Sequence, residues 1–200
     1  MRILFATRNE DKIREIRSIL KNLPVEISTA SDFPDLPEII EDGATCAENA
    51  LKKAREVCRF TGLSALADDS GIFVEALGGA PGVYSSRFAG PDCSYADNNR
   101  KLLRKLNGIP KEKRDAYFLC IAALATPDGR EFTSEGKLHG KITTESRGEN
   151  GFGYDPVFEL PDGRTVAQIS PEEKNRISHR AKAFRAMRRV IEGLIEENGK

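Results

Sequence analysis

Asp68 and Asp69 stand side by side at the end of an apolar run (Leu63, Ala65, Leu66, Ala67) and are followed at once by Ser70 and Gly71. Adjacent carboxylates repel each other, so a folded site that keeps both needs a cation, a proton or a basic partner. A hard cation such as Mg²⁺ takes one or two carboxylates together with substrate phosphates. A carboxylate next to a polarised water can also serve as general base. The plainer account of these four residues alone is a solvated turn, because Asp, Ser and Gly all favour turns. The stretch continues through Gly78, Gly79, Pro81 and Gly82, which shape a tight return.

Three other clusters carry chemistry-bearing residues. Thr7-Arg8-Asn9-Glu10-Asp11-Lys12 lies where a strand turns into a helix, a place where free N–H groups and the helix dipole can hold phosphate. The glycines of a Walker A loop are missing there. In residues 148–156 three glycines interleave with Phe152 and Tyr154, so a ligand could approach the backbone around Gly153 and stack on a ring, with Asp155 at the end of the loop. Lys174, Arg176, His179, Arg180 and Lys182 crowd a helix start, where cations oppose the dipole by roughly 0.3–1 kcal/mol each unless an anion sits among them.

The elements that must position these groups follow from periodicity. Residues 2–6 read as a short buried strand, and Ile13, Ile16, Ile19 and Leu20 as the inner face of the helix after it. Residues 24–42 are Pro-rich and acidic and read as an extended connection with one strand. Thr45 and Glu48 form a capping box for a helix with Ala47, Ala50, Leu51, Ala54, Val57 and Cys58 inward, ended by Gly62. Capping accounts for Glu48 but not for Glu41, Asn49 or Lys53. Ser94 and Asp97 open another helix. Residues 116–126 read as a central strand, Pro127-Asp128-Gly129 as a turn, and residues 130–142 as a further strand pair in an antiparallel ladder. Ser178 is a fair N-cap for a last helix with Phe184, Met187, Val190, Ile191 and Leu194 inward.

The 200 residues fit one domain, with 31 basic and 31 acidic residues and no net charge. That balance argues against bulk binding to nucleic acid. The apolar runs are too short for a signal peptide or a membrane span. Cys46, Cys58, Cys93 and Cys120 lack CxxC or zinc spacing and read as reduced thiols of a cytoplasmic protein.

Together, TRNEDK, EDGATCAENALKKA, ADDSGIFVEALGGAPGVYSSRFAG, GENGFGYDPVF and KNRISHR, in that order, resemble the inosine triphosphate pyrophosphatase family, also called Ham1-like. Ser86 and Glu149-Asn150 depart from the usual pattern away from any position assigned to chemistry. The resemblance implies a single domain over residues 1–200 with two lobes: an α/β fold, a mixed sheet flanked by helices, with the active site in the cleft between lobes. It implies hydrolysis of ITP, dITP and XTP to monophosphate and pyrophosphate, Mg²⁺ as cofactor, and a homodimer. The nucleoside triphosphate is then the expected partner, with no nucleic acid and no membrane. Asp69 is expected to be the general base with Asp68 beside it, and Glu41 and Asp69 to ligate Mg²⁺. Thr7, Asn9, Lys12 and Lys53 are expected to hold the triphosphate, with Arg8, Glu10, Asp11 and Ser70 also expected to bind substrate. Phe152, Gly153, Tyr154, Asp155, Lys174, His179 and Arg180 are expected around the nucleoside. A Maf-type pyrophosphatase and a nucleotide sensor without turnover are the alternatives. GFGYDPVF and KNRISHR speak against the first, the paired aspartates against the second.

Overall fold

Ile3, Leu4 and Phe5 are all buried, as a strand covered on both faces requires. They form β1 (Arg2–Phe5), which lies between two parallel neighbours, β2 (Glu26–Thr29) and β3 (Ser64–Val74). The structure, a computed structural model, describes residues 1–198. Its strands form a mixed sheet in the order β2-β1-β3-β5-β6-β7, with β4 (Pro81–Gly82) paired antiparallel to β3. β5 is Asp115–Ala125, β6 is Glu131–Ile142, and β7 (Phe158–Glu159) pairs antiparallel with β6. This α/β architecture agrees with the expected fold class.

The chain divides into two compact units. The first comprises Met1–Asp69, Cys120–Gly136 and the segment from His179 onward. In it, α1 (Glu10–Ile19) turns Ile13 and Ile16 inward, and α5 (His179–Asn198) adds Phe184, Met187, Ile191 and Leu194 to the same core. Phe5 meets Phe184 edge to face at 5.9 Å, the arrangement that ring quadrupoles favour. α2 (Cys46–Thr61) begins at Thr45, whose hydroxyl accepts from the Glu48 N–H, and ends at Gly62 in the left-handed region. Glu48 reaches back one residue further than a capping box predicts, accepting from the Ala44 N–H at 2.7 Å.

The second unit comprises Ser70–Leu119 and Lys137–Ser178. Its core gathers Ile72, Leu102, Leu106, Phe118, Val157 and Phe158. α3 (Tyr95–Lys105) carries the expected Ser94–Asp97 capping box. Arg114 is buried against three carbonyls, those of Leu106, Ile109 and Thr143, at 2.7–2.9 Å, and so closes the end of α3.

Three local expectations need correction. The Asp-Asp-Ser-Gly segment is no turn, since β3 runs straight through it. A Cβ on Gly71 would lie 2.4 Å from the Gly82 carbonyl oxygen, so glycine there admits a close neighbour, not a reversal. Residues 130–142 yield one long strand, β6, adjacent to β5 across the 127–129 turn, where the Thr126 N–H donates to the Arg130 carbonyl. The basic segment spans two helices: α4 (Pro171–Ile177), capped by Ser170, and α5, with Ser178 the joint. The Ser170-Pro171 start signal had been available in the sequence.

Candidate active site

Successive strand residues face opposite sides, and β3 uses this to give its two aspartates different surroundings. Asp68 is 2% exposed. Its Oδ1 accepts from Lys12 Nζ at 3.0 Å, and its Oδ2 from Arg180 Nε and Nη2 at 3.3 and 3.2 Å, with the Cys120 thiol at 3.9 Å. Arg180 Nη1 donates in turn to Glu15 Oε2 at 2.6 Å. Lys53 Nζ donates to the Asp68 main-chain carbonyl and, at 2.6 Å, to Glu41 Oε1. Asp69, also buried, accepts from Asn49 Nδ2 at 3.2 Å, while Asn49 Oδ1 accepts from the Gly43 N–H at 2.7 Å.

The electrostatic consequences run in opposite directions. Burial would raise the Asp68 carboxyl, but Lys12, Arg180 and Lys53 more than offset it and hold the group well below the usual carboxylate range. Burial also pushes Asp69 up. There the charge of Glu41 adds to the effect, and Lys53, Lys12 and Asn49 offset only part of it. Burial pushes the Cys46 thiol up as well, reinforced by Asp69. Glu41 and Asp69 offer hard oxygen donors whose like charges oppose each other. Mg²⁺ accepts such a pair and completes its coordination with phosphate and water, so these residues fit the expected cation.

The strand-to-helix turn is drawn together only in part. Asn9 caps α1, accepting from the Asp11 and Lys12 N–H groups at 2.9 and 3.2 Å, and Thr7 Oγ1 accepts from the Asn9 N–H at 3.2 Å. Arg8 donates to the Leu36 carbonyl, Asp11 pairs with Arg14, and Glu10 is exposed. Lys12 reaches across to Asp68. α5 brings in Arg180 by close approach to β6. A Cβ on Gly136 would lie 2.1 Å from the His179 carbonyl oxygen, and Ser134 Oγ donates to the Ala183 carbonyl at 2.9 Å. His179 is buried at the start of the same helix. Two protein carboxylates, Asp68 and Glu15, are among the partners of Arg180.

In the second unit, Asp155 organises the glycine–aromatic loop. It accepts from the Phe152 N–H at 2.9 Å and from Lys174 Nζ at 2.5 Å, and Lys174 Nζ lies 4.4 Å from the centre of the Phe152 ring. Asp155 and Lys174 are both buried, whereas Phe152 and Gly153 are half-buried. Tyr154 donates its hydroxyl to the Ser85 carbonyl at 2.8 Å, which makes it a brace of the loop. Ser70 is half-buried on β3.

Sequence reasoning did not pick out Glu15 or Asn49 as site residues. Glu15 is an exposed-helix residue by type, and only the fold brings α5 to it. Asn49 left a signal: it is a polar residue at an inward position of α2, unexplained by capping.

The sequence signature of the Ham1 family matches residues 3–190. The chain is 49% identical to the dITP/XTP pyrophosphatase of Syntrophobacter fumaroxidans, over 97% of this chain and 83% of that protein. It is 50% identical to the dITP/XTP pyrophosphatase of Geobacter sulfurreducens, over 92% of each. Among solved structures it is similar to a HAM1 protein from Coxiella burnetii, with a TM-score of 0.89 and 40% identity, covering 96% of this chain and 99% of that one. The Staphylococcus aureus Ham1 protein is similar at a TM-score of 0.87 and 36% identity, with the same coverage.

Proposed function

The chain belongs to the Ham1 family, and from that premise we propose that it hydrolyses the triphosphates of deaminated purines, ITP, XTP and their deoxy forms, to monophosphate and pyrophosphate. The reaction removes these nucleotides from the pool before they enter DNA or RNA. The observation that carries the reading is the different company of Asp68 and Asp69, the first gripped by Lys12 and Arg180, the second beside Asn49 and the charge of Glu41, which drives their pKa values apart. Neighbouring carboxyls driven apart in this way are the mark of divided acid–base duties.

Asp69, the more basic of the two, takes the proton of the attacking water. Asp68 is too strongly paired to accept one, and its work is to hold Lys12 and Arg180 in place. Lys12, Lys53 and the N-terminus of α1, with Thr7 and Asn9 fixing the turn, supply positive charge for the triphosphate. Glu41 and Asp69 would hold Mg²⁺, which when bound lends charge to phosphate oxygens and lowers the pKa of water. Phe152 stacks on the base, and Lys174 and Asp155 meet its polar edge. A cytoplasmic homodimer is the expected setting.

The test is a panel of eight nucleoside triphosphates, with Mg²⁺ and with EDTA, resolving monophosphate, diphosphate, pyrophosphate and orthophosphate. Pyrophosphate and IMP from ITP, abolished by EDTA, are expected. Orthophosphate with IDP, or no turnover of ITP at all, would overturn the proposal.

A further inference from the structure

Asn98 and Asn99 sit next to each other on α3, both almost fully buried. Asn98 uses both ends of its amide: its Oδ1 accepts from the Ala89 N–H at 2.7 Å and the Cys93 thiol at 3.3 Å, and its Nδ2 donates to the Ser86 carbonyl at 3.1 Å. Asn99 is used by half. Its Nδ2 donates to the Gly153 carbonyl at 2.9 Å, whereas its Oδ1 is buried and finds no hydrogen-bond partner among the described residues. Buried polar atoms are nearly always paired, because leaving one unpaired forfeits its hydration without return. A plain packing residue would have been apolar here.

The bond to Gly153 falls where the loop backbone takes a left-handed turn. Gly153 has φ +63°, and a Cβ placed on it would meet nothing within 4 Å. No side chain packs here to hold the peptide, so its hydrogen bond matters to its placement. Phe152 precedes it directly, with Tyr95, at the start of α3, tilted against the ring at 6.0 Å. Asp155 holds the Phe152 N–H from the far side. The Asn99 amide thus ties α3 to the Gly153–Tyr154 peptide, one residue beyond the Phe152 ring.

We propose that Asn99 is a positioning residue for nucleobase recognition: by holding the Gly153 carbonyl it sets the plane of the Phe152 ring, and its spare Oδ1 accepts a hydrogen bond from a donor that arrives with the nucleotide. This deepens the proposed function and rests on it.

The experiment measures inhibition of ITP hydrolysis by the two products in the wild type, Asn99→Asp and Asn99→Ala, with thermal melts of all three. IMP carries the base and pyrophosphate does not. Both variants are expected to raise the inhibition constant for IMP by about tenfold or more and leave that for pyrophosphate within twofold, a tenfold change corresponding to about 1.4 kcal/mol. Equal weakening of both inhibitors, or of neither, would overturn the assignment. Should either variant fail to melt cooperatively, direct calorimetry of IMP and pyrophosphate binding to the other decides. Failure of the wild type to hydrolyse ITP would instead strike the proposed function, and wild-type IMP binding by calorimetry keeps the two failures apart.

Discussion

At Asp68, Lys12 and Arg180 converge on a carboxylate with almost no exposure, while one residue later Asp69 keeps the Asn49 amide and has Glu41 as a like-charged neighbour. Asparagine substitution should therefore separate the two. Asp69→Asn is expected to lower kcat by about 10²–10⁴, the usual cost of a lost general base, with unfolding in urea unchanged within error and IMP binding retained. Asp68→Asn strips a buried ion network of its central charge and is expected to cost roughly 3–5 kcal/mol of stability, measured by the same urea titration. Equal stability of the two variants would defeat this division. The sequence made the pair conspicuous, and the family resemblance put Asp69 forward as the base. The physical ground for that ranking lies in partners the sequence does not show, such as Arg180, which pairs with Asp68 across 112 residues.

Elements place these residues through close approaches that only small side chains permit. At Gly136 the start of α5 comes so near β6 that a methyl group would collide with main-chain atoms of His179 and Ala183. Gly136→Ala should cost about 1–3 kcal/mol by overpacking and, by shifting the first turn of α5, loosen Arg180 from Asp68. A lower melting temperature together with a raised KM is the expected pair of results, and an unchanged melt would exclude the clash. The two-residue strand β7 depends on a different tie. Glu159 is buried and pairs with Lys111 at 2.7 Å and Arg147 at 2.5 Å. Burial works to raise its carboxyl, but these cations outweigh it and draw the folded-state value down. A depressed carboxyl stabilises the fold fully above its unfolded value, about 4.3, and that contribution fades as pH falls through the lower folded value. Glu159→Gln should therefore be less stable than wild type at pH 7, and the gap should close on acidification below pH 4 (roughly). A gap independent of pH would mean that shape, not charge, holds β7. Strands and long helices were readable from periodicity, and caps at Thr45, Gly62 and Ser94 fell where propensity puts them. α4 was missed because seven residues give little periodic signal, and the strand through Asp68–Gly71 because turn-forming types were overridden by the place of β3 between β1 and β5 in the sheet.

Across the whole molecule the order of motifs was enough to identify the family. What the sequence withheld was partnership across long separations, such as Arg180 with Glu15 or Asn99 with Gly153, since neither member of such a pair advertises the other. The two compact units also hold chemically different equipment: carboxylates and cations in the first, a ring with a polar rim in the second. Kinetics should reflect this. Stacking on an aromatic ring is tolerant of base identity and contributes about 1–3 kcal/mol per base. Phe152→Ala should then raise KM for ITP and ATP by similar factors, roughly 5- to 150-fold, with little change in their ratio. Lys174 is a hydrogen-bond donor, which suits the 6-oxo group of hypoxanthine and opposes the 6-amino group of adenine. A site built for one hydrogen-bond pattern rejects the other strongly. Lys174→Met should accordingly narrow the preference of kcat/KM for ITP over ATP by at least tenfold, on the order of 1.4 kcal/mol, while Asp69→Asn lowers both rates and preserves the preference. Steady-state measurements on both substrates for the three variants test this, with melts to confirm that Asp155, deprived of Lys174, has not unfolded its loop. An ITP preference that survives Lys174→Met intact would move the recognition of the 6-position to another residue.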